Sequence, residues 1–179
     1  TIELLPELLQ SGIASLKIEG RMKRPEYVAI VVDAYRRAID DIEAGKTPSN
    51  AANDEKALAQ IFNRDFTTAY LKDRPGRMMM SDLRPNNRGL LVGRVLESDR
   101  AAGRVKLKLS GDLAEGDQLD FWVKVGGRTT TTVTDLRDEK GRACPAATGG
   151  AEVTLSLDAP VKPHDRVFKV FDAHLMEKA

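Results

Sequence analysis

The stretch GLLVGRVLESDRAAGRVKLKLS, residues 89–110, is where the chain changes character. "LLVGRVLES" is rich in branched apolar residues, and "VKLKL" alternates strictly between apolar and charged side chains. Strict alternation leaves one wet face and one buried face, the pattern of a half-buried strand. Reading forward, "DQLDFWVKV", "TTTTVTDL", "EVTLSLD" and "RVFKVFD" are further short β-type runs, separated by Gly, Pro and Asp. Six such runs over residues 89–179 predict a small antiparallel β-barrel or sandwich, of which the barrel is the expectation taken forward. Alternation in "DQLDFWVKV" also sends one of Phe121 and Trp122 outward, either into packing or onto a contact surface.

Reading backward from Gly89, the pattern is helical. "LLPELLQSG" places Leu4, Leu5, Leu8 and Leu9 at helical spacing and ends at Gly12. "IASLKIEG" reads as a short strand with Ile13, Leu16 and Ile18 as its apolar positions. "RPEYVAIVVDAYRRAIDDIEAG" opens on Pro25 and closes on Gly45, and its first half is apolar nearly all round. Asp54 is placed to cap a further helix in "EKALAQIFNR". Lys72 to Arg88 is loop-like, with five cations against two Asp. The expected organisation is the end of an α/β domain over 1–50, a helical linker and loop over 51–88, and the β domain over 89–179. One strand cannot make a sheet, so the first part reads as the last unit of a larger domain.

Charge and composition narrow the function classes. The net charge of +1 creates no global field for nucleic acid or membrane, so anion binding must come from a local patch. No apolar run reaches the roughly 20 residues of a membrane span. The single cysteine, Cys144, allows no internal disulfide and fits a reducing cytoplasm. It also rules out a cysteine-rich metal or iron–sulfur site built by this chain alone. The two histidines, His164 and His174, have no helical ligand spacing.

Four groups of residues carry candidate chemistry. Lys17, Glu19 and Arg21 share a face if "SLKIEGRMK" is a strand, with Lys23 beyond them. At the carboxyl end of a parallel strand they would bind an anion or phosphate, Glu19 orienting a cation or acting as a base. The competing reading is a solvated strand end with surface ion pairs. Lys72, Arg74, Arg77, Arg84 and Arg88 form either a strip for RNA phosphates or a charged linker, and no aromatic lies between residues 71 and 120 to stack on bases. Met78, Met79 and Met80 read as packing filler at the junction. Cys144 in "RACPAATGG" reads as a bystander thiol unless a histidine lies beside it. No G-x-S-x-G, H-E-x-x-H, P-loop or helix-opening G-x-G-x-x-G is present.

"SLKIEGRMKRPEYVAIVVDAYRRAID", "IFNRDFTTAYL" and "MMMSDLRPNNRGLLVGRV" stand in the order found near the end of the catalytic domain in the collagenase-like peptidase family U32, which this chain resembles. The β-rich remainder resembles the family's C-terminal barrel, which is like the second domain of translation factors; "GDLAEGDQLDFW" carries most of that likeness. The resemblance implies a parent with a TIM-like barrel, residues 13–45 supplying its last strand and helix. It places Lys17, Glu19, Arg21 and Lys23 at or near the barrel mouth. Several relatives hydroxylate RNA bases or quinone precursors with a four-cysteine iron–sulfur cluster, prephenate being the oxygen donor in the RNA cases. Others are called collagenases or peptidases.

Two departures stand out. The family's cluster cysteines precede the "KIEGR" motif, so none is carried over and Cys144 matches none. Asp65 also stands where the family usually has Gly, which favours turns that Asp adopts less easily.

The expectation is therefore an α+β C-terminal piece, inactive by itself. It comprises the terminal strand–helix unit of a TIM-like barrel, a helical linker and a small β-barrel. The candidate catalytic residues are Glu19 and Arg21; the candidate anion-binding residues are Lys17, Lys23, Arg84 and Arg88. No metal or cofactor is held by this chain, and an iron–sulfur cluster belongs to the parent. The partners are the rest of the catalytic barrel and RNA, not a membrane. The competing functions are a collagenase-like peptidase and a β-barrel binding module for RNA or protein.

Overall fold

The alternating runs fold as strands that send one face inward. The computed structural model describes residues 1–48, 51–63, 66–68, 70–72, 76, 87–123 and 127–179. In it β1 is Leu90–Asp99, β2 Arg104–Leu109, β3 Leu113–Ala114, β4 Gln118–Val123, β5 Gly127–Thr132, β6 Ala146–Ala147, β7 Glu152–Ser156 and β8 Arg166–Phe171. Six strands make one antiparallel sheet in the order β5-β4-β8-β1-β2-β7, and β3 pairs with β6. The inward residues, among them Val95, Val105, Leu107, Leu119, Phe121, Val153, Leu155 and Val167, form one core. Apolar burial of this kind supplies most of the favourable free energy of folding.

The expected closed barrel does not form. Among the described residues β5 and β7, the two ends of the sheet, do not pair with each other. The "TTTTVTDL" run leaves the ladder at Thr132, before its apolar pattern ends. Val133 and Leu136 instead drop into the core. The Val133 amide donates to the Asp117 carbonyl, and Arg137 bridges to Thr154 of β7. An irregular segment therefore spans the gap that a closing ladder would have filled.

Two glycines permit close strand approach. A Cβ on Gly93 would sit 2.5 Å from the Lys108 carbonyl oxygen, and one on Gly89 (φ 64°) would overlap the Lys169 carbonyl. No side chain fits at either position.

A buried polar group ties β4, β8 and α4 (Ala173–Glu177) together. Asp117, 1% exposed, accepts from the amides of Ala114 (3.0 Å) and Ala173 (2.9 Å). Lys169 Nζ lies 3.3 Å from Asp117 and 2.6 Å from Asp172, whose other oxygen caps α4 by accepting from the Leu175 amide. Each buried charge thus has both a counter-charge and hydrogen bonds, which burial requires.

The chain divides into two compact units, residues 1–87 and 88–178. The first holds α1 (Leu5–Gln10), preceded by a 3-10 turn at Ile2–Leu4, α2 (Pro25–Glu43) and α3 (Ala51–Ile61). Pro25 sits in the first turn of α2, and Gly12 and Gly45 follow α1 and α2 in the left-handed region at φ 81° and 71°. Ile2, Leu5, Ala34 and Ala38 are its buried centre, with Leu16, Tyr35, Ile39, Ile42 and Leu58 packed around them.

Two expectations are corrected in this unit. Residues 13–20 are not a strand, because a strand exists by its ladder and among the described residues this unit has no second one. Where a terminal strand–helix unit was expected, the described residues hold a helix preceded by an unpaired segment. Asp54 is not a cap: α3 starts three residues earlier, and Asp54 is buried against Arg37 of α2 at 2.9 Å.

Candidate functional site

The segment before α2 carries the motif residues, and the structure brings two of them together. Lys17 Nζ and Glu19 Oε1 are 2.7 Å apart, with side chains 84% and 70% exposed. So exposed a pair is screened by water and adds little stability. The alternation read from the sequence persists in part without a strand: Leu16 and Ile18 are half-buried and Lys17, Glu19 and Arg21 exposed, but Ile13 is exposed as well. Met22 then takes φ 63° and is 95% exposed, turning the chain between Arg21 and Lys23. A non-glycine residue in this region is uncommon.

Lys23 goes elsewhere. Its ammonium stands 3.1 Å from the ring centre of Phe62 and 5.8 Å from that of Tyr27. Tyr27 and Phe62 meet edge to face, with centroids 6.3 Å apart and planes at 88°. The sequence reading missed this partnership, because residues 23 and 62 are brought together by the packing of α2 on α3. Arg88 is half-buried in the second unit, and Arg84 lies outside the described residues. Arg74, Arg77, Asp65 and the run Met78 to Met80 also lie outside them.

Beside the Tyr27–Phe62 pair is a cavity of about 400 Å³, with Tyr35 and Phe66 among its walls and Val31 and Leu58 beneath. Burial, with the neighbouring Tyr27 adding to it, raises the Tyr35 phenol above its usual range. Tyr35 is therefore a proton donor at neutral pH. Glu3, Glu55 and Thr68 also line the cavity, so its aromatic walls are mixed with polar and acidic groups. Glu26 at the start of α2 has one oxygen shielded from water and, among the described residues, without a hydrogen-bond partner.

The remaining candidates lie in the second unit. Phe121 faces the core with no exposure, so Trp122 is the outward aromatic. Cys144 is half-buried, packed against the core, and its amide donates to the Leu136 carbonyl. Among the described residues neither histidine ring is hydrogen-bonded to a thiol or hydroxyl, and no three of His, Cys, Asp and Glu are gathered as metal ligands. An iron–sulfur cluster of the four-cysteine kind does not fit a chain with one core-packed cysteine.

Comparison with known proteins gives this geometry a family. The model of "Peptidase family U32" matches residues 1–81. The Bacillus subtilis tRNA hydroxylation protein P1 is 32% identical over 94% of this chain and 41% of its own length. A collagenase of Porphyromonas gingivalis is 27% identical over 94% of this chain and 42% of its own length. The C-terminal domain of a Geobacillus thermoleovorans protein assigned to the U32 peptidases overlays 45% of this chain and 91% of that domain, with TM-score 0.43 and 22% identity. The chain spans about two fifths of the length of these curated relatives. With the family match over the first unit and relatives aligned through both, the chain belongs to peptidase family U32.

Proposed function

We propose that this chain takes part in the hydroxylation of RNA bases, as the substrate-holding C-terminal portion of a larger enzyme. The observation that carries this reading is the alignment with a tRNA hydroxylation protein at 32% identity through nearly the whole chain, above the 27% to the collagenase. The side chains before and along α2 agree with a holding role. Lys17 and Arg21 offer exposed cations for phosphate, Glu19 orients Lys17, and the Tyr27–Phe62 cavity offers flat aromatic walls. In this reading an iron–sulfur cluster, and the oxygen chemistry with it, belongs to parts outside the chain. The apolar face that α2 leaves exposed at Val28 and Val32, one turn apart, packs on the rest of a TIM-like barrel.

The test is nucleoside mass spectrometry of tRNA and rRNA from cells lacking the protein, then restored with variants. Deletion should remove a nucleoside heavier by one oxygen. Glu19→Ala and Arg21→Ala should each restore it about tenfold less well or worse. Both side chains are exposed, so thermal stability should move by no more than about 0.5 kcal/mol. Variants that unfold would make these residues structural. Unchanged RNA nucleosides with gelatin cleavage by the purified protein would replace this reading by the peptidase one, which the collagenase relative favours.

A further inference from the structure

The register of the six-stranded sheet lines up one residue from every strand. Arg128 of β5 is opposite Trp122 of β4, Trp122 opposite Arg166 of β8, and Arg166 opposite Arg94 of β1. Arg94 is in turn opposite Lys108 of β2, and Lys108 opposite Glu152 of β7. Directly opposed residues share a face, and this is the face away from the core. The sequence neighbours Phe121, Val167, Val95 and Leu107 are buried, while Arg128, Arg166, Arg94 and Lys108 are exposed.

The row is costly to the fold by itself. Arg94 and Arg166 are directly opposed like charges, which destabilise a sheet. Among the described residues neither is paired with a carboxylate. Arg94 reaches the His164 carbonyl at 3.4 Å, and Arg166 lies over Trp122 and Phe168 with its guanidinium carbon 5.1 and 5.9 Å from their centroids. The two rings stack 4.3 Å apart at 29°. At the ends, Arg128 is paired with buried Asp120, and Lys108 shares Glu152 with Lys106.

We infer that this outer face of the sheet binds single-stranded RNA, with Trp122, stacked on the buried Phe168, taking a base and Arg166, Arg94 and Lys108 taking the phosphates beside it. The inference rests on the RNA reading above and gives that reading a surface. An aromatic ring beside closely set cations is what a single strand needs, and arginines that have no carboxylate partner among the described residues call for a polyanion. Residues 89–179 carry 14 cations against 14 anions, so the attraction is local to this row and falls steeply with salt.

Trp122 is the chain's one tryptophan, so its emission reports directly on the site. The full chain is titrated with a mixed-sequence single-stranded RNA of about ten nucleotides. Emission should be quenched, and log K should fall with log salt at a slope of about −2 if three phosphates are neutralised. The exposed double variant R94Q/R166Q should bind at least about tenfold more weakly, with the slope shallower by about 0.7 for each phosphate no longer neutralised. Trp122→Leu, followed by anisotropy of labelled RNA, should weaken binding by about five- to a hundredfold. Arg142→Gln, off the row and paired with Asp138, should change nothing. RNA binding that leaves emission unchanged and ignores R94Q/R166Q overturns this surface and leaves the hydroxylation reading standing. Equal affinity for a duplex, or for polyglutamate, overturns single-stranded RNA as the occupant. Nucleosides unaffected by deletion overturn the hydroxylation reading whatever this surface binds.

Discussion

Asp172 caps α4 with one oxygen and meets Lys169 with the other. Burial opposes its ionisation, but the Lys169 ammonium and the Leu175 amide outweigh it, so the carboxyl is held below its usual range. A carboxyl with a folded pKa below its unfolded value of about 3.9 stabilises fully above that value. The contribution is lost as the pH falls through the folded pKa. Thermal melting of the chain should therefore drop on acidification below about pH 4, and Asp172→Asn should flatten part of that drop while keeping a capping side chain. A variant with an unchanged pH profile would show that Asp172 plays no part in the acid response. This partnership was not legible in the sequence, where Asp172 and Lys169 look like two charges at a strand end. Asp54 misled for the related reason that its value as a cap depends on where α3 starts, and its buried bond to Arg37 depends on tertiary packing.

At the scale of the element, alternation was a reliable guide wherever a neighbour existed. "VKLKL" and "VTLSL" became β2 and β7, paired Val105 to Leu155 and Leu107 to Val153 across the core face. Residues 16–21 alternate in exposure but make no strand, since periodicity tells which side is wet and a ladder needs a second chain segment. The row from Arg128 to Glu152 was invisible for the opposite reason. Its members are spread over residues 94–166, and register alone assembles them. The opposed arginines should also show in stability. Arg94→Thr should stabilise the protein by about 0.5 kcal/mol at low salt, through relief of repulsion and a better strand residue, with the gain shrinking as salt is added. Urea denaturation checks it as a higher midpoint at constant slope. A midpoint that stays put or falls at low salt would mean that the repulsion is already relieved.

At the scale of the whole molecule, the two units have separate apolar centres, one around Leu5 and Ala34 and one around Phe121 and Leu107. The second is the larger, and its sheet, its irregular seal at residues 133–144 and the Asp117–Lys169–Asp172 group lie wholly within residues 88–178. Residues 88–179 expressed alone should fold cooperatively, with coincident unfolding by circular dichroism and Trp122 emission. Non-coincident or broad transitions would show that the first unit is needed to complete it. The broad division into helical and β parts was legible from composition and period. The open sheet was not, because closure depends on where β5 abandons its ladder, and the four threonines read the same up to the point where it does.

The bond from the Ala173 amide to Asp117 is made by backbone, so nineteen of the twenty amino acids can supply its donor at that position. Ala173 is also the first residue of α4, the place a helix most readily gives to proline. In this helix the usual permission is withdrawn. Proline at 173 would suit the turn and still strip a buried carboxylate of one of its amide donors. The bond itself is thus indifferent to the side chain at 173 and closed only to the one imino acid that ordinary helix rules would favour.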